Sequence, residues 1–325
     1  MKFATVLVTV VVLALCPNAA QALVKRAFLS ANGSDASDCS RPTPCRTLAA
    51  AVLKTVAGGE IYVLDPAGYG PVVITSSISI FNDGVGSVGI LVPAGGTGVT
   101  INAGPADKIS LRGFIIEGAG VGANGIVFNS GQSLTVENSV IRNLVDYGIN
   151  FLPTGSSMLD ISNTYVGNNG DSGICLRPVG PGAVRAILNR VELYRNGTNG
   201  IVVDGVSVVG TLWATAVDSM SAYNGTNGFA VLAATASSDF SSAMGAEGSG
   251  VAPISLTLLR SVAARNATGL FSEGPEATLR ASQSAVVGNA IGWASSGGGL
   301  VLSAADNTIE GNAAGESAPS SYSTK

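Results

Sequence analysis

Apolar and polar positions recur along this chain with a long period. The segment NGTNGIVV begins at Asn196, and NGTNGFAV begins at Asn224, 28 residues later. A shorter form of the motif, a glycine followed by apolar-x-apolar, begins at Gly98, Gly125, Gly148, Gly173, Gly200 and Gly228. Two weaker copies, at Gly269 and Gly292, keep only the first apolar position. The intervals between these glycines are 23 to 28 residues, apart from one of 41. A period of this size indicates a stack of similar structural units.

Each unit contains strand patterns only. Segments with alternating apolar and polar residues precede the glycines, as in LTVENSV from Leu134 and LDISNTYV from Leu159. Three short strands and three turns fill a unit, so neither a leucine-rich repeat nor a propeller blade fits. We therefore predict an all-β fold, a parallel β-helix of about nine or ten turns. Asn and Gly are expected at the turns because both tolerate left-handed backbone angles.

The two ends of the chain and one internal segment differ from the repeats. Lys2, an apolar run and Ala20-Gln21-Ala22 predict a signal peptide over residues 1–22, cleaved after Ala22, and hence a secreted or periplasmic protein. Residues 23–60 are expected to hold an N-terminal strand, a disulfide loop and a capping helix. That helix is predicted over Thr47–Thr55, with Thr47 as its N-cap and Gly58-Gly59 as its stop.

The remaining residues divide into the coil and its extensions. The parallel β-helix is predicted over residues 61–312, followed by a flexible tail over residues 313–325. The interval of 41 residues predicts an insertion within residues 232–251, which are rich in Ala, Ser and Gly. No segment after the signal peptide has 18 uninterrupted apolar residues, so no membrane span is expected.

Export permits disulfide bonds. Cys39 and Cys45 lie in the short Pro-rich loop DCSRPTPCR, and we predict that they are joined. Cys175 lies in a strand-like run, GICL, and is predicted to be a free, small apolar residue.

Several of these segments together resemble a known family. FLSANGSD, PCRTLAAAV, GGEIYVLDPAGYGPVVITSSISI, NSVIRN and NGTNG are similar to secreted right-handed parallel β-helix repeat proteins of the pectate-lyase-like superfamily. The resemblance extends over about residues 28–312. It implies a right-handed coil, and it implies either a polysaccharide lyase, hydrolase or epimerase or a protein without known activity.

Composition removes several kinds of chemistry. The 325 residues include no histidine, so catalysis by Ser-His-Asp or Cys-His is excluded and a zinc site is hard to build. The Gly-His-Gly motif of β-helix polygalacturonases is absent. The formal charge is −4, with no basic patch that would indicate a nucleic-acid partner.

Two outward rows of side chains are the candidate surfaces. The second residue after each repeat glycine gives an uncharged row, which we expect to be covered rather than to form a lyase cleft. That row consists of Thr100, Val127, Asn150, Cys175, Val202, Ala230, Phe271 and Ala294. A more polar row is expected to be either a polysaccharide-binding groove or a solvated face. It consists of Arg112, Glu137, Ser162, Asn189 and Asp218, flanked by Asp160 and Arg185.

One acidic pair is a candidate metal site. Asp146 and Asp171 each precede a repeat glycine by two residues, so they should stack on neighbouring turns. Two close carboxylates raise one pKa or bind a cation such as Ca²⁺, unless they diverge into water. With Arg142 they are the candidate centre of a polysaccharide lyase or epimerase. The preferred interpretation is a non-catalytic surface, structural or polysaccharide-binding module, with the catalytic residues of the alternative unknown.

Overall fold

A computed structural model describes residues 23–205, 210–233 and 253–323. The predicted signal peptide, and the predicted insertion beyond residue 233, lie outside the described residues. Within them the chain forms one helix, α1 (Leu48–Lys54), and otherwise strands and turns. The strands are β1 (Val24–Leu29), β2 (Thr55–Val63), β3 (Ala67–Gly68), β4 (Val72–Ile74), β5 (Ile78–Phe81), β6 (Val88–Leu91), β7 (Thr97–Asn102), β8 (Lys108–Arg112), β9 (Phe114–Glu117), β10 (Asn124–Ser130), β11 (Ser133–Glu137), β12 (Val140–Arg142), β13 (Ile149–Phe151), β14 (Ser157–Gly167), β15 (Ile174–Leu176), β16 (Val184–Tyr194), β17 (Ile201–Gly205), β18 (Leu212–Val217), β19 (Met220–Ala222), β20 (Asn227–Ala233), β21 (Ile254–Leu259), β22 (Val262–Ala264), β23 (Thr268–Glu273), β24 (Ala277–Ser282), β25 (Ala285–Val287), β26 (Ile291–Ser296), β27 (Leu300–Ser303), β28 (Thr308–Glu310) and β29 (Ser320–Ser321).

The named strands pair in parallel and form three faces of a coil. The first face runs β1-β2-β5-β8-β11-β14-β16-β18-β21-β24-β27-β29. The second face runs β3-β6-β9-β12-β14-β16-β19-β22-β25-β28, and β14 and β16 continue from the first face into it. The third face runs β4-β7-β10-β13-β15-β17-β20-β23-β26. The predicted parallel β-helix is confirmed, with about 10 turns.

The core consists of like residues stacked on like. On the third face the inward residue Ile126 pairs with Ile149, which pairs with Ile174 and then Ile201. Two residues further on, the rings of Phe128 and Phe151 stack with their centroids 4.4 Å apart. Each pair of turns therefore removes apolar surface from water, which is the main stabilising contribution in such a repeat.

A ladder of buried asparagines runs beside this apolar core. Each side-chain amide nitrogen donates to the side-chain oxygen of the next turn at 2.9–3.1 Å. The ladder consists of Asn169, Asn196, Asn224, Asn266, Asn289 and Asn312, all less than 9% exposed. The first Asn of NGTNG is thus retained for this buried ladder, because its amide satisfies groups on both neighbouring turns.

The left-handed turn residues lie one position before the ladder. Asn168, Arg195, Tyr223 and Arg265 have φ between 55° and 59°. Asn143, at φ 59°, belongs to this corner and not to the ladder, because Leu144 occupies the ladder position in its turn. A second corner, between the first two faces, carries Asn138, Asn163, Arg190, Asp218, Arg260 and Gln283 at φ 45–54°.

Glycine is needed at the repeat position for a different reason from the one expected. Gly148, Gly173 and Gly200 do not have positive φ; instead, a Cβ atom there would lie 2.6–2.8 Å from the carbonyl oxygen of the next glycine in the column. Close approach between turns, rather than a left-handed backbone, therefore requires glycine at this position.

Both ends of the coil differ in detail from the prediction. Thr47 does cap α1, because its hydroxyl accepts from the Ala50 amide, but the helix ends at Lys54 and not at the glycine pair. Strand β2 follows at once because Thr55 is already extended. At the other end the expected tail is partly paired, since Ser320–Ser321 extends the first face beside β27.

The disulfide prediction is confirmed. Cys39 and Cys45 are joined with their Cα atoms 4.7 Å apart, and Cys175 is free and buried. The bridge closes the loop that precedes α1, where Asp35 accepts hydrogen bonds from the amides of Arg46 and Thr47. This loop and the helix together cover the first turn of the coil.

Candidate functional site

The uncharged outward row of the third face has the predicted register. Val127, Asn150, Cys175, Val202 and Ala230 are paired in succession on adjacent strands. The centre of this row is buried: the last three of these residues are at most 4% exposed. The side-chain oxygen of Asn150 is buried without a hydrogen-bond partner in the described part of the chain.

Asp146 and Asp171 lie on adjacent turns, and the Asp171 amide donates to the Asp146 carbonyl oxygen at 3.0 Å. The Asp171 carboxylate accepts hydrogen bonds from Thr198, Tyr147 and Ser172. Although burial raises it, the pKa of Asp171 is lowered by these donors. The increase in pKa expected from a repelling carboxylate is therefore not seen at Asp171.

The predicted cation site has few protein ligands. Among the described residues, no group of three or more Cys, Asp or Glu side chains could hold a metal ion. Ca²⁺ takes about six to eight oxygen ligands, so two carboxylates would leave most positions to backbone or water. Arg142 does not join the pair, because its guanidinium binds Glu117 at 2.8 Å.

Two charged residues on the third face were missed by the sequence argument. Arg177 Nε lies 2.6 Å from Asp204 Oδ2, on neighbouring strands. Both follow a repeat glycine by four residues, in GICLR and GIVVD, and side chains alternate along a strand, so inspection of the fourth position would have found them. Although burial lowers it, the pKa of Arg177 is raised by the neighbouring Cys175 and Asp204.

Tyr147 extends this cluster on the side where the chain enters the third face. Burial raises the pKa of its hydroxyl, and the hydrogen bond to Asp171 raises it further. Burial also raises the pKa of the Cys175 thiol to about 12, so the thiol is protonated and is not a nucleophile at neutral pH. The third face therefore carries a tyrosine–aspartate pair and an arginine–aspartate pair around a buried thiol.

The predicted polar row on the first face is present over four turns. Arg112 pairs with Glu137, Glu137 with Ser162, and Ser162 with Asn189. The expected register is wrong for Asp218, because Val217 occupies the next position.

Asp218 lies instead at the corner. Its backbone is left-handed with φ 50°, and its carboxylate binds Arg260 at 2.7 Å. Asp160 lies outward in the row next to the polar row, where burial raises the pKa of its carboxyl.

One end of the polar row borders a depression. Arg112 Nε lies 3.7 Å from Asp83 Oδ1 and 4.0 Å from Glu137 Oε2, all on the surface. Arg112, Asp83 and Asn82 line a depression of about 480 Å³ at the corner between the first and second faces. At this end of the row the structure thus adds Asp83 to the predicted Arg112 and Glu137.

An exposed aromatic strip continues along the same face. In a neighbouring row, Arg185 is paired with Met158 on the turn before it and with Trp213 on the turn after it. Ile187 lies beside them. The exposed fractions are 43% for Met158, 52% for Ile187 and 37% for Trp213. The Arg185 guanidinium lies 5.2 Å from the centre of the Trp213 ring. We call these four residues the Trp213 strip. The sequence argument missed Trp213 because it considered only the polar row of this face.

Comparison with known proteins is consistent with the fold. No known family profile and no curated protein matches the chain. The solved structures similar to it include the A-module of the Azotobacter vinelandii mannuronan C-5 epimerase AlgE4, with 13% identity and a TM-score of 0.43 over 82% of this chain and 91% of that one. A rhamnogalacturonan lyase has 14% identity and a TM-score of 0.40, covering 81% of this chain and 74% of its own. The pectate lyase Pel9A has 13% identity and a TM-score of 0.41, covering 73% and 76%.

These three proteins are parallel β-helices, and the likeness concerns the fold alone. The pairing of the strands shows the coil independently, so the parallel β-helix expected from the sequence is confirmed. A search of the described residues for a helix long and apolar enough to cross a membrane found none.

Proposed function

We propose that this chain is an exported β-helix that binds a polysaccharide on its first face without cleaving it. The observation that carries this proposal is the exposed Trp213 with the Arg185 guanidinium stacked on it. An exposed indole on a flat sheet presents an apolar surface to the C–H face of a sugar ring, and its N–H remains available for a hydroxyl group.

The remainder of the face fits an extended ligand. Glu137, Ser162 and Asn189 supply hydrogen-bonding groups on successive turns, about 4.8 Å apart, so that they form a ladder along the coil. Solenoids commonly use such extended surfaces for binding. Arg112 at one end and the Trp213 strip at the other would contact different units of the same chain.

The proposed absence of cleavage rests on the hydrogen bonds and ion pair that engage the charged groups of the third face. The Asp171 carboxylate accepts hydrogen bonds from three side chains, and Arg177 and Asp204 form an ion pair. Sugar elimination needs a base and a free cation that neutralises a carboxylate, and these groups are already engaged. Export is supported by the disulfide, which forms in oxidising compartments, and by the predicted signal peptide.

Retention of the protein in gels that contain soluble polysaccharides tests this proposal. We expect Trp213→Ser to abolish retention while the melting temperature stays within about 1 °C of the wild type. Serine is compatible with the strand because Ser255 occupies the equivalent position on the next turn. The matched control is Leu91→Ser, which removes a side chain 62% exposed on the second face.

Retention that is equal in the wild type and Trp213→Ser, across every polysaccharide retained, would contradict the proposed face. Loss of retention in both variants would show that general apolar adhesion, and not this strip, holds the glycan.

A polysaccharide lyase or epimerase is the second candidate function. It is favoured by the third face, where Tyr147 hydrogen bonds to Asp171 beside Arg177 and the side-chain oxygen of Asn150 has no partner among the described residues. A tyrosine can transfer a proton and an arginine can bind a carboxylate. This function predicts unsaturated or epimerised sugar products that Tyr147→Phe abolishes.

A further inference from the structure

A second polar surface lies at the corner between the second and third faces. Arg195, Tyr223 and Arg265 occupy equivalent positions on three successive turns, each with left-handed φ. Tyr194 lies beside them, with its ring centroid 5.1 Å from that of Tyr223. We call these four residues the Tyr–Arg patch.

The two guanidiniums lie on either side of the central tyrosine. Arg195 Cζ is 5.8 Å and Arg265 Cζ is 5.4 Å from the centre of the Tyr223 ring. Arg265 also donates a hydrogen bond to the Tyr223 hydroxyl at 2.7 Å. Stacking on an aromatic ring fixes the plane of a guanidinium and leaves its N–H edge free to donate.

Within the described residues, these two arginines lack the ion pair that five of the other ten arginines make. In the described residues the guanidiniums of Arg26, Arg112, Arg142, Arg177 and Arg260 each lie within 4.0 Å of a carboxylate. Arg195 and Arg265 make no such ion pair within that same part of the chain, although the protein carries a formal charge of −4. Two exposed guanidiniums without a counter-ion in an acidic protein favour an anionic ligand.

A depression beside the patch gives the ligand room. It has a volume of about 690 Å³ and is lined by Arg195, Asn143, Asn168, Gly170 and Gly197. The uncharged amides can hydrogen bond to hydroxyl groups, while Arg195 reaches the same space. This combination of amides and a guanidinium suits a sugar that carries an acidic group.

The spacing selects among acidic glycans. Arg195 and Arg265 are two turns apart, which places their backbones roughly 10 Å from each other. We propose that the Tyr–Arg patch binds a glycan that carries a carboxylate on alternate sugars, with one carboxylate on each arginine and the intervening sugar against Tyr223. A planar carboxylate matches the guanidinium fork by two parallel hydrogen bonds. This site is separate from the Trp213 strip and goes beyond the function proposed above.

The test is calorimetric titration with hyaluronan, which has one carboxylate in each disaccharide, and with chondroitin sulfate and neutral dextran as comparisons. The variant is Arg195→Asn with Arg265→Asn; Asn is compatible because Asn143 and Asn168 hold this left-handed position in earlier turns. The matched control is Arg190→Asn with Arg260→Asn, which removes the same charge from left-handed positions at the other corner.

We expect the hyaluronan Kd to rise about tenfold or more in the Arg195/Arg265 variant and by less than about twofold in the control. Neutral dextran should show no heat of binding at this site, and Trp213→Ser should leave the hyaluronan Kd unchanged. Equal weakening in both double variants, binding of chondroitin sulfate but not hyaluronan, or no binding of hyaluronan by the wild type would each overturn the proposal. Circular dichroism of every variant establishes that the coil is folded.

Discussion

Two columns of side chains, one residue apart in the sequence, face opposite environments in this coil: one is buried and the other is exposed. Asn196, Asn224 and Asn266 point inward, are at most 3% exposed and hydrogen bond from turn to turn. The residues immediately before them, Arg195, Tyr223 and Arg265, point outward and form the Tyr–Arg patch. The left-handed backbone at these outer residues turns the chain so that neighbours face different environments.

The comparison separates positions whose residue type the fold requires from positions that it leaves free for the proposed ligand surface. From Asn169 onward the inner column repeats asparagine, because each amide both donates and accepts between neighbouring turns. The outer column is free to vary, and it contains Asn in early turns and Arg or Tyr in later ones. The third face lies between these cases, since its charged groups are outward but bind neighbouring polar groups, Asp171 with Tyr147 and Arg177 with Asp204.

The largest expected effect concerns Cys175 at the centre of the third face. Burial raises the pKa of its thiol to about 12, so we expect alkylation of the folded protein to be about a thousandfold slower than that of an unfolded control. Mass spectrometry after iodoacetamide treatment measures the rate, and Cys39 and Cys45 stay unlabelled because they are joined. Rapid labelling in the folded state would show that the third face is open.

Breaking the ladder gives the next largest effect. Asn224→Ala removes the oxygen that accepts from the backbone and side-chain amides of Asn196, and it removes the side-chain amide that donates to Asn266 Oδ1. Asn266 Oδ1 keeps only the backbone N–H of residue 224 as a donor from that turn. At about 1–3 kcal/mol for each unsatisfied buried group, the free energy of unfolding should fall by at least about 3 kcal/mol. Urea titration measures it. Tyr223→Asn, one residue away, should change it by less than about 1 kcal/mol, and equal losses would refute the contrast between the columns.

A smaller effect is expected on the acidic pair. Asp171→Asn loses hydrogen bonds to a charged acceptor, so the free energy of unfolding at neutral pH should fall by about 1–2 kcal/mol. Because the pKa of Asp171 is lower in the folded state, this contribution is complete above the unfolded pKa of about 4 and is lost as pH falls through the folded value.

The neighbouring carboxylate supplies the control for this experiment. The carboxylate of Asp146 has no side-chain hydrogen bond or ion pair within the described ranges, so Asp146→Asn should change the free energy of unfolding by less than about 0.5 kcal/mol. Denaturation at several pH values compares the two variants. A stabilised Asp171→Asn would show that the two carboxylates repel each other, as the sequence argument assumed.

The smallest effect concerns calcium. Asp171 is directed to Thr198 and Tyr147, so we expect neither Ca²⁺ nor EDTA to change the melting temperature. Binding to the folded state would raise stability by mass action. A shift with Ca²⁺ that disappears in both Asp146→Asn and Asp171→Asn would establish the cation site that the sequence predicts.

The coil could be predicted from the sequence because its period appears as a local pattern, a glycine followed by apolar residues. The row from Val127 to Ala230 follows from counting two residues beyond each glycine, and pairing confirms it. The row position expected for Asp218 is wrong by one residue, because Asp218 is equivalent to the corner residues Asn163 and Arg190 and Val217 takes the row position.

Contacts between turns were harder to predict. The hydrogen bonds that occupy Asp171 come from residues up to 27 positions away, so the sequence shows the carboxylate but not its partners. The roles of the repeat residues also depend on three dimensions: asparagine is needed for a ladder and glycine for close approach. Local turn preference alone does not distinguish these causes.

The central claim is that the protein binds polysaccharide on its outer faces and does not cleave it. Incubation with a panel of acidic polysaccharides, followed by ultraviolet detection of unsaturated products and by gel retention of the same mixtures, tests both halves together. The account predicts that at least one polysaccharide is retained through Trp213 and that no unsaturated product forms. Formation of product by the wild type, and its loss in Tyr147→Phe or Arg177→Gln, would contradict the account and would make the third face an active site.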